Sequence, residues 1–383
     1  MHIALTTPEP DGSPNAISRA LQSIATDYAE VYWPAIAYRV VENLNVHHYV
    51  AQPFGELPED APCTVRGALP SKFVNGVLMH PVANSPVTIV RTTAEPEILA
   101  AAAKIRPTLV WAQFQSPDPI SAEGIDKLRA LCDPNVVICQ WDGDQHWEPW
   151  QTERKWFVDL GQKCDTSLLA NSLYQEAYAR QGVRHPGYLQ CGVDPAIFRP
   201  MPAPEARVPA IVLLANNHSS LNYTTRIKAI QTLSERYKEN FGVYGDSWGH
   251  VTLVSWLAPV SPYESAAVYS ASRGALSISI RNDLNRYTSD RLFRALASGA
   301  VVLFERVPDY EGLGLVDGVN CLCWTGIEEL VAVTEQAMAL SPAVSASLRS
   351  EAVKLATTVH DWQTRIYELL AIVDAIREER RAC

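Results

Sequence analysis

A run of hydroxyl, carboxylate and guanidinium side chains precedes a helical pattern that stops at Gly299. The run consists of Thr288, Ser289, Asp290 and Arg291. A hydroxyl that caps one end and a glycine at the other predict a short helix that leads into an apolar strand. The free amides of a first helical turn, the helix dipole and a nearby guanidinium all favour an anion. We therefore expect this segment to bind a phosphate group.

A second set of polar residues follows the apolar run at 136–141. Asp142 and Asp144 flank a glycine there, and His146 comes two residues later. A carboxylate beyond the end of a strand can accept a proton from a hydroxyl group, so Asp144, with His146 nearby, is the candidate general base. Two alternatives stay open. Two aspartates at this spacing can hold a divalent metal ion, and Asp144 can simply order the turn.

Aromatic and basic residues near these two sets each allow two interpretations. Core packing is the default for four tryptophans, which as a group could instead form a stacking wall for a substrate; they are Trp141, Trp147, Trp150 and Trp156. The arginines within 273–294 form either a solvated helix face or a wall that faces an anion. For His360 and Asp361, packing is favoured over catalysis.

The composition is that of a globular protein of 383 residues, 47% hydrophobic and 19% charged. This length is sufficient for two domains, each with its own core. Residues 1–204 carry 22 acidic and 15 basic side chains, which disfavours non-specific binding to nucleic acid. We see no apolar run that could span a membrane and no secretory signal, and the scattered cysteines indicate free thiols. The sequence thus predicts a cytoplasmic protein.

Short apolar runs alternate with helical patterns, as is typical of βαβ units with parallel sheets. In the first half we expect strands at 2–6, 87–90, 108–112, 136–141 and 167–170. We expect helices there at 97–105, 122–131 and 175–181. A proline-rich stretch at 198–205 is expected to link two domains. In the second half we expect strands at 211–215, 241–244, 251–254, 275–280 and 301–304. We expect helices there at 225–237, 263–271, 327–340 and 361–380. The fold class is α/β, with two Rossmann-like domains facing across a cleft.

Several segments from about residue 105 onward resemble glycosyltransferases of the GT-B fold, in particular the branch related to CgeB-like spore-maturation proteins. The resemblance depends on the order and spacing of these segments more than on any one of them. In chain order they are Ala170-Asn171-Ser172, Gly192-Val193-Asp194-Pro195, the run 211–217 with Arg226, Phe241-Gly242-Val243-Tyr244-Gly245, and the run 288–299.

The resemblance implies an acceptor-side domain at 1–200, a donor-binding domain at 205–358, and a C-terminal helix at 359–383 that packs back on the first domain. The donor would be a UDP- or GDP-sugar, with no cofactor and no metal ion. The donor-binding residues would be Asn216, Asn217, Arg226, Tyr244, Gly245, Thr288, Ser289, Asp290 and Arg291. Arg294 departs from the family pattern, in which a glutamate near this position holds donor hydroxyl groups.

The prediction is a metal-independent glycosyltransferase that moves a sugar onto a hydroxyl group. The acceptor stays open among a glycan precursor, a small molecule, a protein and a hydroxymethylated base of phage DNA, since similar sequences occur in bacteria and bacteriophages. The acidic first half disfavours DNA. Two rival functions are a non-catalytic sugar-nucleotide-binding protein and a nucleotide-sugar epimerase or phosphorylase on the same scaffold.

Overall fold

The computed structural model describes residues 2–6, 46–51, 64–65, 72–74, 77–79, 88–92, 95–113, 120–143, 147–195, 197–216, 224–249, 251, 253, 255–260 and 262–382. The chain divides into two compact units. One unit comprises Met1–Gln190 with Arg365–Cys383, and the other comprises Cys191–Thr364. Within the described ranges, every helix is too short or too polar to cross a membrane.

The first unit is built on a largely parallel sheet. Its strands are β1 (His2–Thr6), β2 (Val46–Ala51), β3 (Thr64–Val65), β6 (Thr88–Thr92), β7 (Leu109–Gln113), β8 (Val137–Asp142), β9 (Thr166–Leu169) and β10 (Pro186–Tyr188), with β4 (Lys72–Val74) and β5 (Val77–Met79) forming a separate antiparallel pair. The order across the sheet is β10-β9-β8-β7-β1-β2-β6-β3, and β3 alone of these runs antiparallel to its neighbour. Since β1 lies between β2 and β7, chain order reverses direction beside it, as in doubly wound folds.

The described helices of the first unit connect its parallel strands. They are α1 (Glu95–Ile105), α2 (Ala122–Leu131), α3 (Lys155–Gly161) and α4 (Gln175–Arg180). Ser121 caps α2 by accepting a hydrogen bond from the Gly124 amide, and Ile125 and Leu128 point into the core one helical turn apart. The strands β7 and β8 supply the facing side chains Val110 and Ile138, which are fully buried.

The second unit has a six-stranded sheet in which every described pairing is parallel. The strands are β11 (Ile211–Leu214), β12 (Phe241–Tyr244), β13 (Trp256–Leu257), β14 (Gly274–Ser277), β15 (Val302–Glu305) and β16 (Leu322–Trp324). Their order is β13-β12-β11-β14-β15-β16. Counted within the unit this is 3-2-1-4-5-6, the order of a dinucleotide-binding Rossmann sheet. The predicted α/β class with two Rossmann-like domains is confirmed.

Helices cover both faces of this sheet. They are α5 (Thr224–Tyr237), α6 (Pro262–Ala271), α7 (Asp290–Ala297), α8 (Ile327–Ala339) and α9 (Pro342–Thr358). One face packs Leu213, Val243 and Leu303 against α5 and α8, with Leu233 and Leu330 among the buried partners. Because strands buried on both faces carry apolar residues at nearly every position, the sequence shows continuous apolar runs there.

The structure corrects one expectation for the second unit and adds one helix to it. The strand expected at 251–254 is wrong, because the described residues Val251 and Leu253 lie outside strands and the third strand is β13 at Trp256–Leu257. The Val251 amide donates to the carbonyl of Trp248, which forms a turn instead. The helix α9 was not expected, although Ser341 and Pro342 are a typical N-cap and first-turn pair.

The segment around His360 has a packing role, as expected. Its ring is 2% exposed, stacks on Phe293 with a centroid distance of 4.2 Å, and lies 2.7 Å from the carbonyl oxygen of Leu313. Asp361 accepts a hydrogen bond from the Thr364 amide at the start of the last helix, α10 (Trp362–Ala382). These contacts fix the beginning of α10 on the second unit, whereas its residues from Arg365 onward belong to the first.

Candidate functional site

The candidate site lies at the carboxyl ends of β11 and β14, where the strand order of the second unit reverses. Such a position is where open α/β sheets bind their ligands, because the loops that follow the two strands diverge there. Asn216 continues the chain beyond β11, and Ser279 continues it beyond β14. The helix that follows the β14 loop is α7, so the sequence brings its N-terminus to the same edge of the sheet.

Alternating burial and a glycine stop define α7. Leu292, Phe293 and Leu296 are fully buried, at the i, i+1 and i+4 spacing of one helix face. At the C-terminus the amide of Gly299 donates to Leu296, and the amide of Ala300 donates to the helix carbonyl of residue 295. With φ of +72° at Gly299, these bonds form a Schellman motif, so the predicted glycine stop is confirmed.

The N-terminus of α7 is not closed by a side chain. Ser289 occupies the N-cap position with an extended conformation, but its hydroxyl accepts no hydrogen bond from the first turn, so the predicted hydroxyl cap is wrong. Thr288 is fully buried and has its hydroxyl 3.4 Å from the Ser289 carbonyl oxygen. In the described part of the chain, the amides of Asp290 and Arg291 donate to no acceptor. Two backbone donors at the positive end of the dipole are therefore available to an anion.

The Arg291 guanidinium bridges the ends of β11 and β14. Its Nε donates to the carbonyl of Leu214 over 2.6 Å, and Nη1 lies 3.3 Å from both the Ile278 carbonyl and the Ser289 hydroxyl. The amide of Ser289 lies 3.3 Å from the hydroxyl of Ser279, which ties the same loop to the helix start. Within the described ranges, Nη2 makes no hydrogen bond. The sheet edge thus holds a half-buried cation in a fixed orientation, with one nitrogen left for a ligand.

The other arginines in this region have local partners. The carboxylates of Asp283, Asp309 and Asp290 pair with Arg281, Arg286 and Arg294 over 2.6, 2.5 and 2.7 Å, respectively. The Arg273 side chain donates to the carbonyl of Met338 near the end of α8. Of the arginines in 273–294, Arg291 is therefore the candidate that faces an anion.

The loop after β11 packs closely on the turn after β12. A Cβ atom at Gly245 would lie 2.1 Å from the carbonyl oxygen of Ala215, so only glycine fits there. Asn216 accepts a hydrogen bond from the Asp246 amide through its side chain over 3.0 Å. Tyr244, the last residue of β12, is buried, and burial raises the pKa of its phenol. Asn217 lies outside the described residues.

Arg226 lies near the start of α5 and is 5% exposed, so it is a buried cation and not an exposed charge on the helix surface. Its Nη2 lies 3.4 Å from the carbonyl oxygen of Asn216, and its guanidinium lies 5.6 Å from the Trp248 ring centroid. The structure therefore brings Arg226, Asn216 and the Gly245 turn together at the β11 end of the sheet. These contacts give the loop a defined shape beside the Arg291 edge.

In the first unit, the candidate catalytic residues Asp144 and His146 lie outside the described residues. Their described neighbour Asp142 ends β8 and is 2% exposed. Across the same sheet edge, the Asn171 side chain accepts hydrogen bonds from the amides of Leu173 and Tyr174 after β9. The Tyr174 hydroxyl donates to Glu148 over 3.1 Å. The carboxyl edge of this sheet therefore carries acidic and amide groups, as expected for a ligand-contacting edge.

The four tryptophans of this region divide between the two interpretations. Trp141 is 3% exposed and donates from its indole to the carbonyl of Leu189, so it packs in the core. Trp147 and Trp156 are half-buried around the guanidinium of Arg154. Trp150 is 64% exposed and meets Tyr174 edge to face. Core packing thus explains Trp141, and exposure leaves Trp150 as the candidate for contact with a substrate.

Glu305 is a further candidate site residue, and the sequence analysis did not predict it. It is the last residue of β15, the strand beside β14, and it is buried. The neighbouring Arg306 does not pair with it, because Arg306 pairs with Asp317 and Glu329. Burial raises the pKa of Glu305 to about 7. The available signal was its place in the sequence, directly after the apolar run 301–304 whose strand the sequence predicts.

The two parallel sheets, each with its own reversal of strand order, define the GT-B fold. Residues 226–371 match a family model described as glycosyl transferase-like, and this match covers the helix α7 and the strands β14, β15 and β16. The matched range covers most of the second unit and extends into α10. No curated protein sequence matches the chain significantly.

Solved structures of similar fold extend over the whole chain. Sucrose-phosphate synthase from Thermosynechococcus elongatus is 14% identical with a TM-score of 0.59, covering 100% of both chains. HepE from Anabaena, solved with UDP and glucose, is 12% identical with a TM-score of 0.59, covering 97% of this chain and 99% of HepE. The trehalose-6-phosphate synthase OtsA is 11% identical with a TM-score of 0.61, covering 98% of this chain and 99% of OtsA.

Proposed function

We propose that the protein is a glycosyltransferase that moves a sugar from a UDP- or GDP-sugar to a hydroxyl group of an acceptor. The observation that carries this proposal is the edge of the second sheet, where Arg291 is fixed across the ends of β11 and β14 beside two free amides of α7. A diphosphate leaving group needs such preorganised donors as charge develops on it. The UDP bound to HepE, a protein of similar fold, is consistent with this donor class.

The transfer is proposed to need no metal ion, because amides and a guanidinium supply the positive potential at the phosphate site. Among the described residues, no cluster of three histidine, cysteine or acidic side chains is arranged to bind a metal. Asp144 is the proposed general base, with His146 nearby, and this role rests on its position two residues after β8. The proposed location is the cytoplasm. We also propose that the chain is related to the CgeB-like branch.

The acceptor is proposed only as a hydroxyl-bearing molecule. A glycan precursor, a small molecule and a protein each fit this chemistry. A hydroxymethylated base of phage DNA is disfavoured by the excess of acidic residues in 1–204, which repels a polyanion.

The experiment that tests the proposal has a binding step and a turnover step. A thermal-shift measurement with UDP, GDP, UDP-glucose and GDP-glucose should raise the melting temperature for one nucleoside diphosphate and its sugar. Release of the nucleoside diphosphate is then measured with and without a panel of hydroxyl acceptors. Release that rises with an acceptor supports a transferase. Binding without release indicates a sensor, a changed sugar without release indicates an epimerase, and absence of binding to all four probes contradicts the proposal.

A further inference from the structure

One oxygen of the Glu305 carboxyl group is buried without a hydrogen-bond partner among the residues that the structure describes. The residue is 8% exposed, and its Oε2 atom is buried without a hydrogen bond to any group in the described ranges. Arg306, the next residue, faces other acids: Nη1 lies 2.9 Å from Glu329 and Nη2 lies 3.2 Å from Asp317. A buried acceptor without a donor is rare in folded proteins and calls for an explanation such as a missing ligand or water molecule.

A second unsatisfied group lies on the neighbouring strand. Trp324 ends β16 and is the register partner of Glu305, so the two side chains point to the same face of the sheet. The indole Nε1 of Trp324 is buried and donates to no acceptor in the described part of the chain. An unpaired acceptor and an unpaired donor therefore stand on adjacent strands, whose backbones are about 4.8 Å apart.

A hydroxyl group is the simplest ligand that satisfies both atoms. It can donate its proton to a carboxylate and accept a hydrogen bond from an indole N–H at the same time. A phosphate would suit Trp324 but would be repelled by an ionised Glu305, and a cation would leave the indole unsatisfied. Both residues stand at the carboxyl edge of the sheet, the edge that also carries Arg291.

We propose that Glu305 and Trp324 together bind a hydroxyl group of the sugar nucleotide. This assignment rests on the proposed function and adds a specificity site to it, since the phosphate groups are held by Arg291 and the α7 amides. The hydroxyl belongs either to the ribose of the nucleoside or to the transferred sugar, and the experiment separates these two sources.

Titration calorimetry at pH 8 tests the proposal with UDP-glucose and UDP, and with the corresponding guanosine pair if that pair binds. Replacing the carboxylate by an apolar chain, Glu305→Met, should weaken binding about 10-fold or more, and Trp324→Phe should weaken it several-fold. Glu305→Gln keeps an acceptor and should fall between Glu305→Met and the wild type. The exposed carboxylate of Glu311, in the short 3-10 helix Tyr310–Leu313, provides the matched control, because Glu311→Gln should leave affinity unchanged.

The two ligands separate the sources of the hydroxyl group. If the variants bind both UDP and UDP-glucose more weakly, the hydroxyl group belongs to the ribose. If they bind UDP like the wild type and only UDP-glucose more weakly, it belongs to the sugar ring. If Glu305→Met and Trp324→Phe bind both ligands like the wild type, the proposal is overturned, and a structural water then fills the gap. If the wild-type protein binds neither pair of ligands, the proposed function itself has failed.

Melting temperatures show whether the Glu305→Gln variant is folded. Their dependence on pH is also predicted in direction. Because burial raises the pKa of Glu305 to about 7, from an ordinary value of 4.5, the folded state holds this proton more tightly than the unfolded state. The wild type therefore loses stability as the pH rises from about 4.5 to about 7. Glu305→Gln removes this loss, so its melting temperature relative to the wild type should be higher at pH 8 than at pH 5.

Discussion

At the scale of single residues, Arg291 serves the fold and the proposed chemistry with one guanidinium group. Two of its nitrogens hold the ends of β11 and β14, and a charged donor to a buried carbonyl contributes about 1.5–3 kcal/mol. The sequence predicted an arginine at a phosphate site but not that the same group would bridge two strands. Local spacing gives the position of a side chain on a helix, whereas the carbonyls it contacts come from residues 77 and 13 positions away.

Arg291→Ala should weaken nucleotide binding by about 10- to 100-fold, because a charge-assisted contact to a phosphate is lost. The variant should also melt at a lower temperature, since the carbonyls of Leu214 and Ile278 lose their donor. Calorimetry with UDP or GDP on the folded variant measures the first effect. Arg294→Ala is the control, because Arg294 lies on the same helix and pairs with Asp290. An Arg291→Ala protein with wild-type affinity would remove Arg291 from the donor site.

Asp144→Asn should keep donor affinity and lower sugar transfer by about 100-fold if Asp144 is the general base. The substitution preserves size and removes the ability to accept a proton. If Asp144 only orders the turn, the variant should instead melt earlier and keep most of its specific activity. Melting temperature and transfer rate measured on one preparation distinguish the two roles.

At the scale of elements, α9 holds the segment that carries the candidate site. Its Arg349 side chain donates to the carbonyls of Ser270 and Gly299 over 2.9 and 2.6 Å, and also to the carbonyl of Ser272. These acceptors end α6 and α7, so one arginine fixes the C-termini of two helices. Burial lowers the pKa of Arg349, because its guanidinium is removed from water.

Arg349→Met should reduce the free energy of unfolding by about 3 kcal/mol, because three carbonyls lose their donor while the side-chain volume is retained. Chemical denaturation measures this change. Lys354→Ala on the same helix is the matched control, since Lys354 is exposed and its ion pair with Glu351 has a nitrogen–oxygen distance of 3.7 Å. Equal stability of Arg349→Met and the wild type would mean that packing of α9 alone fixes these helix ends.

Most elements with a strong apolar period were predicted to within two residues of their bounds. The helix α2 and the strand β12 match their expected ranges, and α7 differs little from its expected range. The third strand of the second unit was misplaced because Val251 and Leu253 are apolar without being in a strand. Their side chains pack on the core from a loop, which periodicity cannot distinguish from a short strand.

The sequence predicts those features of the candidate site that depend on local backbone geometry. It does not predict those that depend on the pairing of distant strands. The glycine at 245 and the stop at Gly299 follow from backbone geometry that a sequence reveals. The unpaired state of Glu305 and Trp324 depends on the register between β15 and β16, and no local pattern encodes that register. The pair that we propose to bind a hydroxyl group depends on this long-range register, so the sequence alone does not predict it.

At the scale of the whole molecule, two sheets of similar design carry different chemical groups at their carboxyl edges. The second unit presents a fixed guanidinium and free amides at its sheet edge, whereas the described edge of the first unit presents Glu148, Asn171 and an exposed Trp150. We expect this asymmetry to correspond to an anionic donor on one unit and a neutral, hydroxyl-bearing acceptor on the other.

Turnover should survive a chelator, because the proposed phosphate site uses backbone amides and a guanidinium in place of a divalent ion. Nucleoside diphosphate release is measured in the presence of EDTA and after addition of magnesium or manganese. Unchanged rates agree with this mechanism. Activity that EDTA abolishes and a metal ion restores would require Asp142 and Asp144 to be interpreted as a metal site.

The last helix has a consequence for how the chain is made. Arg377 donates to the carbonyl of Thr108, and Arg380 donates to that of Val136 and pairs with the buried carboxylate of Asp165. Residues 377–380 leave the ribosome after residues 191–364, so the first unit still lacks these partners when the residues of the second unit have emerged. The first unit can therefore complete its native contacts only after residues 377–380 have emerged, and Asp165 gains its second arginine at that stage.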